Sequence, residues 1–254
     1  VSFATEALCK EVEDPPNAKS VVLFQRGCDG GDVLGCEKVS VAFMCGLGVE
    51  RDLGKSGEAA ERACKLGSTM SCGNAGAAFM QIGDEARALV SIKRGCDAGD
   101  LGSCNNLGSY YLTKGDDDNL HRAAELFGKL CDRANEMSCA NLGQLYFLGA
   151  GVPKDLKRAR DLGERACKAK IGIGCNVLAS ALNELGGEGE KAAAQTFIQG
   201  CELGASAACD NAAQCYLYGR GGVALDKAQA ERLFRRGCDM GWAHACSQLG
   251  MLTH

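Results

Sequence analysis

The sequence predicts an all-α solenoid, a row of antiparallel helix hairpins stacked one on the next, and three observations predict it. Two cysteines with seven residues between them recur seven times, at Cys28/Cys36, Cys64/Cys72, Cys96/Cys104, Cys131/Cys139, Cys167/Cys175, Cys201/Cys209 and Cys238/Cys246. Successive first cysteines lie 36, 32, 35, 36, 34 and 37 residues apart, and a period of about 30–40 residues marks a stack of small supersecondary units. Apolar and small residues recur at helical spacing on both sides of every pair. Each unit of such an array packs only on its neighbours, so 254 residues need not divide into conventional domains.

The helix that follows the second cysteine, helix A, carries Val39, Ala75, Leu107, Leu142, Leu178, Ala212 and Leu249 three places on, and Phe43, Phe79, Tyr111, Tyr146, Leu182 and Tyr216 seven places on. A step of four marks one buried stripe. The fourth place holds Ser40, Gly76, Gly108, Gly143, Ala179, Ala213 and Gly250. Small side chains throughout that column predict a close crossing of helices. Glycine-rich loops follow, at residues 46–49, 149–152 and 219–223, and then Asp52, Asp155 and Asp226. Aspartate there can accept the free N–H groups of the first turn of the next helix.

That next helix, helix B, precedes the first cysteine. Eight places before it stand Ser20, Ser56, Ala88, Ala123, Ala159, Ala193 and Ala230, and four before it Phe24, Ala60, Ile92, Phe127, Gly163, Phe197 and Phe234. These columns share one helical face. Gly31, Gly67, Gly99, Gly204 or Gly241 comes three residues after the first cysteine, where glycine supplies a left-handed cap. The first cysteine therefore ends helix B and the second starts the next helix A. Adjacent ends of antiparallel helices lie within disulfide reach. Each bond closes a loop of about nine residues, worth roughly 2.5 kcal/mol on the chain-entropy model. Cutting after each second cysteine gives one solenoid domain of seven repeats, 1–36, 37–72, 73–104, 105–139, 140–175, 176–209 and 210–246, with a partial helix A at 247–254. Neither end carries a polar cap, so trimmed termini or end-to-end self-association are expected.

The formal charge of −4 and pI near 5.5 argue against a nucleic-acid partner. No apolar run approaches the roughly 18 residues of a membrane span. Seventeen cysteines argue for an oxidising compartment. Zinc is the rival use of so many thiols. However, Cys-x-x-Cys is absent and His121, His244 and His254 are scattered, so neither metal nor cofactor is expected. Cys9, Cys45 and Cys215 fall outside the pairs and are expected as free thiols, small apolar residues of helix A. Asp116-Asp117-Asp118 lacks the spaced ligands of a calcium loop and is expected to cap a helix. Arg232, Arg235 and Arg236 are expected to form a solvated basic face.

The stretch from Cys139 to Ala159, CANLGQLYFLGAGVPKDLKRA, closely resembles Sel1-like repeats, a branch of the tetratricopeptide-type helical hairpins. The Cys-x7-Cys pairs narrow the resemblance to the disulfide-bridged Helicobacter cysteine-rich proteins and their relatives. It implies right-handed superhelical stacking of the α/α units, one disulfide per repeat, and a secreted or periplasmic location, with the mitochondrial intermembrane space as alternative. It also implies a concave groove lined by the A helices. The third and sixth copies depart from the pattern, their loop shortened around Gly83 and replaced at residues 186–189.

Three functions follow from the resemblance. The leading one is a scaffold that binds an extended peptide or partner protein in the groove. Asn74, Asn106, Asn141, Asn211, Tyr111, Tyr146, Tyr216 and Trp242 are the candidate contacts. The second is weak β-lactamase or penicillin-binding activity. No Ser-x-x-Lys supports it, the nearest sequence being Ser91-Ile-Lys-Arg94, and no catalytic residue is assigned. The third is a thiol-active assembly factor.

Overall fold

The computed structural model describes Cys9 and residues 15–252. Among the described residues it holds fourteen helices and no strand. The B helices are α1 (Ala18–Asp29), α3 (Leu53–Lys65), α5 (Glu85–Asp97), α7 (Asp117–Asp132), α9 (Leu156–Lys168), α11 (Glu188–Glu202) and α13 (Lys227–Asp239). The A helices are α2 (Val33–Cys45), α4 (Thr69–Gln81), α6 (Leu101–Lys114), α8 (Glu136–Leu148), α10 (Gly172–Leu185), α12 (Ser206–Tyr218) and α14 (Ala243–Leu252). They gather into two compact units, residues 1–110 and 111–254. No described helix is long and apolar enough to cross a membrane.

In the first unit, Ala60, Ala75, Phe79 and Ala88 form a core cluster. Complementary sizes hold it together. The ring of Phe79 lies over Gly57 of α3, and Ile92 of α5 fills the space above Gly76 of α4. In the second unit, Ala159, Val177 and Ala181 form one cluster, and a larger one includes Ala193, Phe197, Ala212, Ala213, Ala230 and Phe234. At Gly163, where four of the other repeats place phenylalanine, a side chain would overlap the backbone of Leu178. Glycine there lets α9 and α10 approach more closely than a ring would permit.

All seven Cys-x7-Cys pairs are disulfides. The Cα–Cα distance is 4.5 Å in Cys28–Cys36, 4.7 Å in Cys64–Cys72, 4.4 Å in Cys96–Cys104 and 4.7 Å in Cys131–Cys139. It is 4.5 Å in both Cys167–Cys175 and Cys201–Cys209, and 4.6 Å in Cys238–Cys246. The first cysteine of each pair sits in the last turn of helix B, as expected.

The place of the second cysteine needs correction. Cys36, Cys72, Cys104, Cys139, Cys175, Cys209 and Cys246 do not start their A helices; each is the fourth residue of its helix. The helix begins a turn earlier because the residue four places before the cysteine can already cap it. Asp32 accepts from Gly35 N at 2.8 Å, Asn135 from Ser138 N at 3.0 Å and Asp100 from Ser103 N at 2.6 Å. Ile171 and Ala205 stand at that place without a side-chain cap. In five B–A turns the left-handed position is Gly31, Gly67, Gly99, Gly204 or Gly241; in the other two it is taken by Ala134 at φ 60° and Lys170 at φ 62°.

The expectation of three free thiols is also corrected. Cys9 and Cys45 form an eighth disulfide, with Cα atoms 5.5 Å apart across a sequence separation of 36. That separation is one repeat, and stacking sets equivalent positions of successive repeats side by side. Closing so long a loop is worth about 4 kcal/mol on the chain-entropy model. Cys215 alone among the described cysteines is free, and it is buried. Burial pushes its thiol pKa up, so the unreactive thiol form dominates at neutral pH.

The A–B loops pack where glycine is required. Gly151 has φ 68° and lies against the Leu120 carbonyl at the start of α7, leaving no room for a Cβ. His121 Nδ1 stands 3.1 Å from the Gly151 carbonyl oxygen. Asp52, Asp155 and Asp226 are N-caps, accepting from Lys55, Arg158 and Gln229 N at 2.9, 3.0 and 2.9 Å. Asp116 caps α7 through Asn119 N at 3.0 Å, with Asp117 and Asp118 in the first turn. The backbone hydrogen bond holds the Asp116 carboxyl below the usual aspartate range.

One recurrent device was not expected from the sequence. An arginine two places before the first cysteine reaches back to a carbonyl at the end of the preceding helix B. Arg62 donates to the Asp29 carbonyl at 3.0 Å, Arg165 to that of Cys131 at 3.0 Å and Arg236 to that of Glu202 at 3.4 Å. Each guanidinium adds a charged donor at a helix C-terminus, where the last carbonyls lack intrahelical partners; the Cys131 carbonyl also accepts from Ala134 N at 3.0 Å.

Candidate functional site

Helix A turns its core stripe, three and seven places after the second cysteine, toward helix B. Residues two, five and nine places after it fall on the far side, about 145° round at 100° per residue. In α12 these are Asn211, Gln214 and Tyr218; in α10, Val177, Ser180 and Glu184; in α8, Asn141, Gln144 and Leu148. All but Asn141 line a cleft of about 510 Å³ within the second unit. Phe147, Asn176, Asn183, Phe197, Arg220 and Trp242 complete its polar and aromatic lining.

Two of the amides are tied, one between helices and one within its own helix. Asn211 Nδ2 donates to Asn176 Oδ1 at 2.9 Å, joining α12 to α10. Gln214 Nε2 donates to Asp210 Oδ2 at 2.9 Å. Asp210 is only 4% exposed, and its carboxylate is satisfied from the other side by His244 Nδ1, 2.9 Å from both oxygens. Lys154 Nζ pairs with Glu184 at 2.6 Å. Tyr218 and Trp242 remain 56% and 39% exposed, and the Arg220 guanidinium lies 5.2 Å from the Tyr218 ring centroid. The site thus offers amides that both donate and accept, exposed aromatic faces and one stacked cation.

Of the expected contacts, Asn211 and Trp242 lie on this cleft. Asn74 lines a smaller cleft of about 210 Å³ in the first unit, with Leu34, Lys38, Val41, Met44 and Met70. Asn141 is buried on α8. Tyr146 turns toward α9, where its hydroxyl accepts from Arg158 at 2.8 Å and its ring lies under that guanidinium. Tyr216 packs on the core of the second unit. Asn106 and Tyr111 are half-buried on α6. Gln144, Ser180, Glu184, Gln214 and Tyr218 were missed, although the two-five-nine stripe was present in the sequence. Arg220 sits in a glycine loop and carries no periodic signal.

The Sel1 repeat family model matches residues 33–68, 102–135, 137–170 and 206–242. No match is found among the curated proteins. The chain is similar to a solved Sel1 repeat protein from Oxalobacter formigenes, at 15% identity and TM-score 0.70 over 88% of this chain and 97% of the other. It is also similar to c5321, a protective antigen of uropathogenic Escherichia coli displaying an SLR fold, at 24% identity and TM-score 0.67 over 92% of this chain. The chain spans about half the length of that antigen, 52%. The APC/C Cut9–Hcn1 hetero-tetramer contributes a further fold match, at 13% identity and TM-score 0.66 over 98% of this chain and 48% of the other. The eight disulfides fit the cysteine-rich subgroup and an oxidising environment. With repeat matches over more than half its length, the chain belongs to the Sel1 repeat family.

Proposed function

We propose that this chain is a protein-interaction scaffold that holds an extended segment of a partner protein along the A helices of its second unit. The observation that carries this is the open cleft of about 510 Å³, where polar amides from three successive A helices lie beside the exposed rings of Tyr218 and Trp242. A peptide main chain needs both donors and acceptors, which the amides provide, and disulfide-stapled helices lose little freedom on binding. Residues 111–254 carry no net positive charge, which favours a protein over a nucleic-acid partner. Its place of action is a secreted or periplasmic space, where the disulfides persist.

A peptide array probed with the oxidised protein tests the scaffold. Binding that weakens on Asn211→Ala or Tyr218→Ala, and survives Arg158→Ala on the far side of α8, supports the cleft. Loss confined to Arg158→Ala would move the site elsewhere. A chromogenic β-lactam is expected to remain intact, and turnover abolished by a point mutation would replace this reading with a hydrolase.

A further inference from the structure

We propose that Arg220 makes the cleft of the second unit selective for an extended peptide carrying an acidic side chain. This rests on the scaffold reading and names the class of its partner. Arg220 lines the cleft, and among the described residues no carboxylate lies within ion-pair distance of it. The other charge of the lining, Glu184, is already neutralised by Lys154 at 2.6 Å. The nearby carboxylate of Asp210 is taken up by His244 and Gln214. Among the lining residues, therefore, the one charge without an opposite partner is positive.

That cation is held in place. Gly219, at φ 63°, ends α12, and Arg220 N donates to the Cys215 carbonyl at 2.9 Å. The guanidinium rests over Tyr218. A planar guanidinium presents paired donors that match a carboxylate, and stacking fixes the fork before the ligand arrives. The chain's overall charge does not oppose this. Residues 111–254 hold 17 basic and 17 acidic side chains, so the net charge of −4 resides wholly in residues 1–110. Lining residues lie on both sides of Arg220 along the array, with Phe147 and Asn183 before it and Trp242 after it. A bound chain therefore passes the guanidinium rather than ending on it, which assigns the carboxylate to a side chain.

The test is an array of amidated synthetic octapeptides in matched sets with Glu, Gln or Lys at one central position, plus twins ending in a free carboxylate. Glu peptides are expected to bind about tenfold more tightly than their Gln twins, a difference near 1.4 kcal/mol, and Arg220→Glu is expected to shift the preference to Lys. Selected peptides are then titrated in solution, where Trp242, the sole tryptophan, reports from the cleft itself. Peptides that bind without a Glu preference, or keep it in Arg220→Glu, overturn the acidic selectivity alone. Preference only for the free carboxylate overturns the side-chain assignment. If no peptide binds either protein, the scaffold reading itself falls.

Discussion

Replacing Arg165 with alanine is expected to destabilise the second unit by about 2 kcal/mol. Arg165 Nη2 donates to the Cys131 carbonyl at 3.0 Å and to Glu136 Oε1 at 2.9 Å, while Nε stands 2.8 Å from Glu136 Oε2. The charged bond to a helix-end carbonyl contributes about 1.5 kcal/mol. The ion pair adds only about 0.5 kcal/mol after screening, because its side chains are 43% and 26% exposed. Lysine keeps the charge but not the fork, so Arg165→Lys is expected to lose about 1 kcal/mol. A double-mutant cycle with Glu136→Gln isolates the ion pair as a coupling of about 0.5 kcal/mol. Urea unfolding with disulfides intact, followed by circular dichroism and Trp242 fluorescence, measures all five proteins. An Arg165→Ala variant within about 0.5 kcal/mol of the parent would refute the claim that the arginine column ties one repeat to the next.

Ala134→Gly and Lys170→Gly are each expected to stabilise by about 1 kcal/mol in urea unfolding, since a side chain at positive φ is strained; destabilisation would show the turns tolerate it. Gly151→Ala is expected to cost about 2 kcal/mol or more in the same assay, through both its φ of 68° and overlap with Leu120. Alkylation of the denatured, unreduced protein followed by mass measurement is expected to add one label per chain, at Cys215; three labels would restore Cys9 and Cys45 as free thiols. Because burial raises the folded-state pKa of Cys215, its contribution is full below the unfolded thiol value of about 8.5 and is lost as pH rises toward the folded value. Comparing Cys215→Ala with the parent by thermal melts between about pH 7 and 10 reads that loss directly; an unchanged alkaline decline would contradict it.

Much of the fold was legible because periodicity is a local property. A cysteine pair spanning one short turn declares its partner through the spacing of eight that all seven copies share, even where Cys215 lies nearer to Cys209 along the chain. Where the A helices begin was less legible. The second cysteines mark a fixed register, but the start is set one turn earlier by capping groups of varied type, such as Asp32, Asp100 and Asn135. The small column is buried at 0–1% at Ser56, Ala88, Ala123, Ala159, Ala193 and Ala230, as helix crossing demands, while Ser20 in the first repeat is half-buried. The candidate site was half legible. Asn211 and Trp242 were found by residue type, yet Tyr146 was misjudged, because a tyrosine at a core-stripe position faces helix B whatever its hydroxyl could do.

The sequence by itself determined the repeat length, the helix pairing, the seven short disulfides and the capping aspartates, which follow from the repeat period and from contacts between residues of one hairpin or turn. Only the tertiary structure decided the Cys9–Cys45 bond, the arginine links and the cleft. These depend on which positions of neighbouring repeats meet in space. Stacking sets residues some 36 positions apart against one another, and a repeat pattern identifies equivalent columns without saying which of them touch.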